Sequence, residues 1–219
     1  MVLGQHDDQG LKLVFLCSPN NPTGNRLDGE AILGLARALE GRALVVVDEA
    51  YVEFANGPSL TAAITDHPGM VVLRTLSKAH GLAGARCGVL LAQASVVALL
   101  RKVIQPYAVT QLTIEAVFRS LEPAALEQSR GRVATVRAER ARVAAALADS
   151  PGVLKVWPSD ANFLLVEFQD AAAALRRTHA AGLLLRDMRA TAGLAHALRI
   201  SIGSPEHNDR LLSSLRGGQ

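Results

Sequence analysis

Several side chains in this sequence can do chemistry together. Lys78 is one of only four lysines beside nineteen arginines, and it stands in Arg74-Thr-Leu-Ser-Lys-Ala-His80 with hydroxyls at Thr75 and Ser77. An amine just past an apolar run can be partly desolvated and its pKa lowered, which is what forming an imine with an aldehyde requires. Asp48, in Val47-Asp-Glu-Ala-Tyr51, offers a carboxylate at the end of another apolar run. Asn21, in Ser18-Pro-Asn-Asn-Pro-Thr-Gly24, and Tyr51 offer hydrogen-bond donors. Thr75, Ser77 and Arg86 can hold phosphate oxygens, the arginine through a charge-assisted contact. Each has a plain alternative: Asn-Pro-Thr-Gly is a good turn sequence, Asp48 can simply cap the next turn, Tyr51 can be core, and most loop lysines are solvated.

The elements around these residues bring them to one rim. Leu11–Cys17, Ala43–Val47 and Met70–Leu73 are short apolar runs bounded by turn residues, as strands buried on both faces are. The helix-like stretch Asp28–Glu40 between the first two completes a βαβ unit. In such sheets ligands collect beyond the carboxyl ends of the strands. Asn21, Asp48 and Lys78 each lie just past such an end, and Gly81-Leu-Ala-Gly84 follows the lysine. Pyridoxal phosphate needs a lysine imine, an acid facing its ring nitrogen, hydrogen bonds to its ring oxygen and a cradle for its phosphate. Taken together and in this order, the residues favour that cofactor over the plain readings.

The three motifs resemble those of the pyridoxal-phosphate enzymes of the aspartate-aminotransferase fold group, and their wording is closest to the histidinol-phosphate aminotransferases. The match runs from about Leu11 to the C-terminus. The resemblance implies that Lys78 both binds the cofactor and moves the proton between substrate Cα and cofactor C4′. It also implies a homodimer, an amino donor and a 2-oxo acid acceptor (histidinol phosphate and 2-oxoglutarate), and a place in histidine biosynthesis. A related enzyme that shares the motifs, threonine-phosphate decarboxylase, is the alternative reaction. Family members carry an N-terminal arm, a long first helix and a glycine-containing phosphate turn before the first strand seen here. The expected fold is therefore α/β, with a mostly parallel large-domain sheet, incomplete at its N-terminus, over residues 1–121 and a smaller α+β domain over 122–219. A non-catalytic remnant of such an enzyme is the other reading of a chain that lacks those parts.

The second half adds two arginines. Arg199 sits in the strand-like Ala197–Gly203 before a Ser204-Pro205 helix start, and Arg186 ends Leu183-Leu-Leu-Arg186. A guanidinium matches a carboxylate or phosphate bidentately. By resemblance, Arg199 grips the α-carboxylate of glutamate or 2-oxoglutarate and, with Arg186, the phosphate of histidinol phosphate. The plain reading is that they are two of many surface arginines. Glu122–Ser150 reads as a long helix with Pro123 at its first position and Leu126, Val133, Val136, Val143 and Leu147 on one face. Arg130, Arg132, Arg137, Arg140 and Arg142 fall on the other, and with no aromatic residues among them they read as a solvated face, not a nucleic-acid site. Val153–Trp157 and Asn162–Glu167 are strand-like, Asp170–Ala180 helix-like, and a last helix covers about Glu206–Leu215.

Composition excludes more than it specifies. With 219 residues, 49% hydrophobic, the chain can bury a real core. It has no apolar stretch long enough to span a membrane, and Met1–Gly10 lacks a signal-peptide core, so a cytoplasmic enzyme is expected. Cys17 and Cys87, in apolar runs, are expected reduced and buried. The six histidines show no metal-ligand spacing, and Gly81, Gly84 and Gly88 are misspaced for a dinucleotide fingerprint. A net charge of +3 says little about partners.

Overall fold

A computed structural model describes residues 10–216, so the expectation placed on the first ten residues lies almost wholly outside the described part. The chain divides into two compact units. The first comprises residues 1–18, 27–50 and 57–121, and the second residues 19–26, 51–56 and 122–219.

In the first unit, β1 (Leu13–Cys17), β2 (Leu44–Asp48) and β3 (Met70–Thr75) run parallel, and β4 (Gly88–Leu91) is antiparallel to β3, in the order β1-β2-β3-β4. The sheet is parallel-rich, as expected. β1 and β2 are linked through α1 (Gly29–Ala38), which starts where Asp28 accepts from the amides of Glu30 and Ala31. That side-chain cap satisfies two donors the helix itself cannot. Ile32 and Ala36 face the sheet and pack with Val14, Leu16, Val45, Val47, Met70 and Val72.

Two-sided burial holds for β2 and β3, where Val46 and Val71 are buried as well as their neighbours. It fails for β1. That strand alternates, burying Val14 and Leu16 and leaving Leu13 and Phe15 50% and 64% exposed. Its Val14 and Leu16 face packs with α1, and the face carrying Leu13 and Phe15 is open. The same alternation leaves Cys17 exposed, and Cys87, just before β4, is half-buried, so neither cysteine is buried as expected. The segment after β4 holds two further helices, α2 (Ala94–Leu100) and α3 (Gln111–Ser120), not expected from the sequence.

In the second unit, β5 (Val153–Val156), β6 (Phe163–Phe168), β7 (Arg186–Asp187) and β8 (Ala197–Ser201) form an antiparallel sheet in the order β5-β6-β8-β7. Around it lie α4 (Pro123–Ala148), α5 (Ala171–Ala180) and α6 (Pro205–Arg216), the α+β arrangement expected. Pro123 opens α4, where its missing N–H costs nothing. Val143 and Leu147 of α4 bury completely against Leu164, Val166, Leu198 and Ile200 of β6 and β8. The arginine-rich face of α4 is not wholly solvated: Arg140 is 8% exposed and Glu139 9%. Glu139 accepts two hydrogen bonds from Arg142, at 2.9 and 2.7 Å, and one from Asn208 of α6 at 2.8 Å. A charge inside an interface is tolerable only with such partners, and a heptad-like sequence pattern cannot reveal them.

Among the described residues no helix is long and apolar enough to cross a membrane, and no cluster of three His, Cys, Asp or Glu is placed to hold a metal.

Candidate active-site residues

In the first unit the parallel register sets Cys17, Asp48 and Leu73 in one row at the carboxyl end of the sheet. The amide of Ser18 donates to the Asp48 carbonyl, and that of Glu49 to the Leu73 carbonyl, each at 2.9 Å. Asp48 is half-buried, and its Oδ1 accepts from the Ala50 amide at 2.9 Å. That bond fixes the carboxylate and leaves Oδ2 for another donor. Partial desolvation, with Asp48 beside it, pushes the Cys17 thiol above its ordinary pKa, so less of it is present as the reactive thiolate. Glu49, for which the sequence suggests no role, is buried. It accepts from the Leu60 amide at 2.8 Å and the Ser59 hydroxyl at 2.5 Å, and lies 3.9 Å from Arg74.

Thr75, Ser77, Lys78 and Arg86 all belong to one connection, the chain between β3 and β4, closed where Thr75 pairs with Gly88. A Cβ on Gly88 would come within 3.0 Å of the Arg74 carbonyl, so the close approach of β4 requires glycine. The Ser77 amide donates to Thr75 Oγ1 at 3.1 Å, and the two hydroxyls lie 2.9 Å apart. Lys78 is exposed, not desolvated. Arg86 has a left-handed backbone (φ 53°, ψ 41°), uncommon for a residue with a Cβ. Its guanidinium donates to the Ala83 carbonyl at 2.9 Å. Nδ1 of His80, in the same connection, is buried without a partner.

The second unit holds Asn21, Tyr51, Arg186 and Arg199. The Asn21 loop is clamped within it. Gly24 takes φ 77°, a Cβ there would overlap Ser159, and the Asp160 amide donates to the Gly24 carbonyl at 2.7 Å. Asn21 precedes a cis proline and accepts from Arg199 at 2.5 Å. Tyr51 is buried, its ring edge-on to Phe163 with centroids 5.2 Å apart. The Arg199 guanidinium lies 5.0 Å from the same Phe163 ring. The sequence assigns the Asn162-Phe163 segment, which has a counterpart in the resembling family, no catalytic role; the fold sets the Phe163 ring against both Tyr51 and Arg199.

Arg186 and Arg199 are direct cross-strand partners on β7 and β8. Like charges directly opposite destabilise a sheet. Among the described residues neither guanidinium has a carboxylate within 4 Å, and Nε of Arg199 is buried without a partner. The neighbouring Asp187 is taken by Arg189, whose hydrogen bond holds its pKa down to about 2. The pair thus has charge and donor capacity for an anion that the protein itself does not supply.

The donor set fits pyridoxal phosphate. One carboxylate oxygen is open at a strand end, and one connection carries an amine, two hydroxyls and an arginine. The profile of the family described as aminotransferase class I and II matches residues 2–215. A histidinol-phosphate aminotransferase from Stenotrophomonas maltophilia is 50% identical over 214 residues, 98% of this chain but 59% of that protein. The chain thus spans under two thirds of the length of this relative. A histidinol-phosphate aminotransferase from Sinorhizobium meliloti, solved in complex with pyridoxal-5′-phosphate, superposes with a TM-score of 0.82 at 30% identity, covering 93% of this chain and 56% of that one. An L-threonine-O-3-phosphate decarboxylase from Porphyromonas gingivalis gives 0.84 at 27% identity, covering 97% and 66%.

Proposed function

The chain belongs to the aminotransferase class I and II family, and from that premise we propose that it carries the lysine, acid and arginines of a transaminase acting on histidinol phosphate and 2-oxoglutarate. The observation that carries the substrate choice is the Arg186–Arg199 pair, set opposite one another without a carboxylate. An anionic substrate group resolves that repulsion, and a phosphate, with three acceptor oxygens, can engage both forks.

Pyridoxal phosphate, when bound, supplies a ring that accepts the electron pair left when the substrate Cα–H bond breaks. Lys78 would hold the cofactor through its aldehyde carbon, and its amine would serve as the acid and base for the substrate Cα proton. Asp48, one oxygen fixed by Ala50, uses the other to keep the ring nitrogen protonated. Thr75, Ser77 and Arg86 hold the cofactor phosphate; the left-handed backbone of Arg86 is the kind of strain that functional sites retain. Asn21 and Tyr51 donate to the ring oxygen. Arg199 orients the carboxylate of glutamate or 2-oxoglutarate, and with Arg186 the phosphate of histidinol phosphate. We assign residues 1–121 to the cofactor-binding domain and 122–219 to the small domain, of an enzyme that works as a cytoplasmic homodimer.

The Porphyromonas likeness favours a second reading, because a phosphate ester suits the arginine pair equally. The two separate on products. With histidinol phosphate and 2-oxoglutarate, a transaminase makes glutamate. With threonine phosphate, a decarboxylase releases carbon dioxide. Glutamate formation absent and carbon dioxide released would reverse the assignment.

A further inference from the structure

We propose that Arg140 is a positioning residue, which reaches from α4 to tie together the two backbone segments carrying Tyr51 and Phe163 and so sets where the Tyr51 ring and the Arg199 guanidinium stand. The proposal rests on the reading of Tyr51 and Arg199 as ligand-binding groups.

The guanidinium is buried, and one nitrogen donates to both the Phe54 carbonyl, at 3.0 Å, and the Ala161 carbonyl, at 2.7 Å. The other terminal nitrogen lies 3.9 Å from Asp160. Neither carbonyl is arbitrary. Phe54 closes the 3-10 turn over Val52–Phe54, its amide donating to the Tyr51 carbonyl at 3.0 Å. Ala161 stands two residues before Phe163, whose ring meets the edge of Tyr51 and lies 5.0 Å from Arg199. A second tie flanks the first: the Asn56 amide donates to Asp160 at 3.5 Å, and Arg137 donates to the Asn56 side chain.

The energetics argue for a purpose beyond packing. Burial lowers the pKa of Arg140, Asp160 raises it and Arg137 lowers it again, so the charge stays at a net desolvation cost. An apolar residue of similar volume often stabilises a core as well or better. What an apolar residue cannot do is bridge two buried carbonyls belonging to different segments, and a planar guanidinium with paired donors is built for that. Without it both carbonyls lose this donor, and the Asn56–Asp160 tie is left to hold the two segments together.

The test uses the whole chain. Only two tyrosines are present, so in fluorotyrosine-labelled protein Tyr107→Phe leaves one fluorine resonance, that of Tyr51. Arg140→Met should move that resonance toward its unfolded position, and Arg140→Lys, which can still donate to carbonyls, should return it most of the way. Amides of Phe54 and Ala55 should exchange roughly tenfold faster in the methionine variant while those of Leu164–Val166 hold. In absorbance titrations with pyridoxal phosphate, Tyr51→Phe and Arg140→Met should each weaken binding, and the double variant should bind no worse than the weaker single one. An unmoved resonance with unchanged exchange overturns the proposal. So does acceleration spread evenly over the β6 amides without rescue by lysine, which marks a general structural tie, and so does strict additivity. If the resonance and exchange respond but Tyr51→Phe binds the cofactor normally, the positioning of the ring stands and the role given to Tyr51 fails.

Discussion

The two units solve burial differently. The second closes its core: both faces of β6 are buried, from Phe163 through Phe168 apart from Glu167, and among its described residues only Leu154 and Leu184 are large, apolar and exposed. The first leaves a broad apolar surface open, including Leu13 and Phe15 on β1, Val103 and Tyr107 after α2, and Leu112 and Phe118 on α3. The proposed reacting group, Lys78, belongs to this open unit, and the anion-binding arginines to the closed one. Large apolar side chains exposed in such number mark an interaction surface, whereas the second unit buries nearly all of its own.

The contrast breaks most sharply at Lys78. Lys78→Ala should abolish the borohydride-fixed cofactor adduct that mass spectrometry finds on wild type. An adduct mainly on Lys12, Lys102 or Lys155 would move the chemistry away from the β3–β4 connection. Asp48→Asn should keep the adduct but slow the half-reaction with glutamate by about 100-fold to 10,000-fold, the range for lost acid–base assistance. Near-normal turnover would mean that Asp48 serves only Ala50.

Burial itself can be compared with one substitution made twice. Leu164→Ala, in the closed core at 1% exposure, should cost about 2–5 kcal/mol. Leu13→Ala, half exposed on β1, should stay within about 0.5 kcal/mol. Denaturant titrations measure both, and equal costs would erase the distinction between the units. The open surface should also make the chain associate, bind cofactor weakly and turn over little. Sedimentation should show association falling in Phe15→Lys and persisting in Leu154→Lys. Joined to the N-terminal portion of the Stenotrophomonas relative, the chain should associate less and transaminate faster. A monomeric chain that turns over histidinol phosphate unaided, at about 1 to 1000 per second, would show that this portion is dispensable.

The smallest effect is electrostatic. Hydrogen bonds from Arg142, then Asn208, hold the Glu139 pKa below its ordinary value. Its stabilisation is therefore present above the unfolded carboxyl range, about 4.3, and lost as pH falls through the depressed folded value. Thermal melts of wild type and Glu139→Gln should differ near neutrality and converge in acid. A gap that widens on acidification would reverse the sign.

Much of this protein was legible in its sequence because the signals are local. Apolar runs ending in Asp48, or shortly before Lys78, mark strands through side-chain periodicity; Asp28 and Pro123 mark helix starts through the backbone groups they satisfy or omit. The motif order then gave the cofactor chemistry. What the tertiary structure alone decided depends on neighbours distant in the chain. Whether β1 is covered on one face or two, and so whether Cys17 is buried, turns on which elements pack over each face of the sheet. That Arg186 stands opposite Arg199 is set by strand register, and that Arg140 is buried while Arg142 pairs with Glu139 is set by the segments packed on α4. Periodicity assigns a residue to a face of its own element, but only the fold decides what lies against that face.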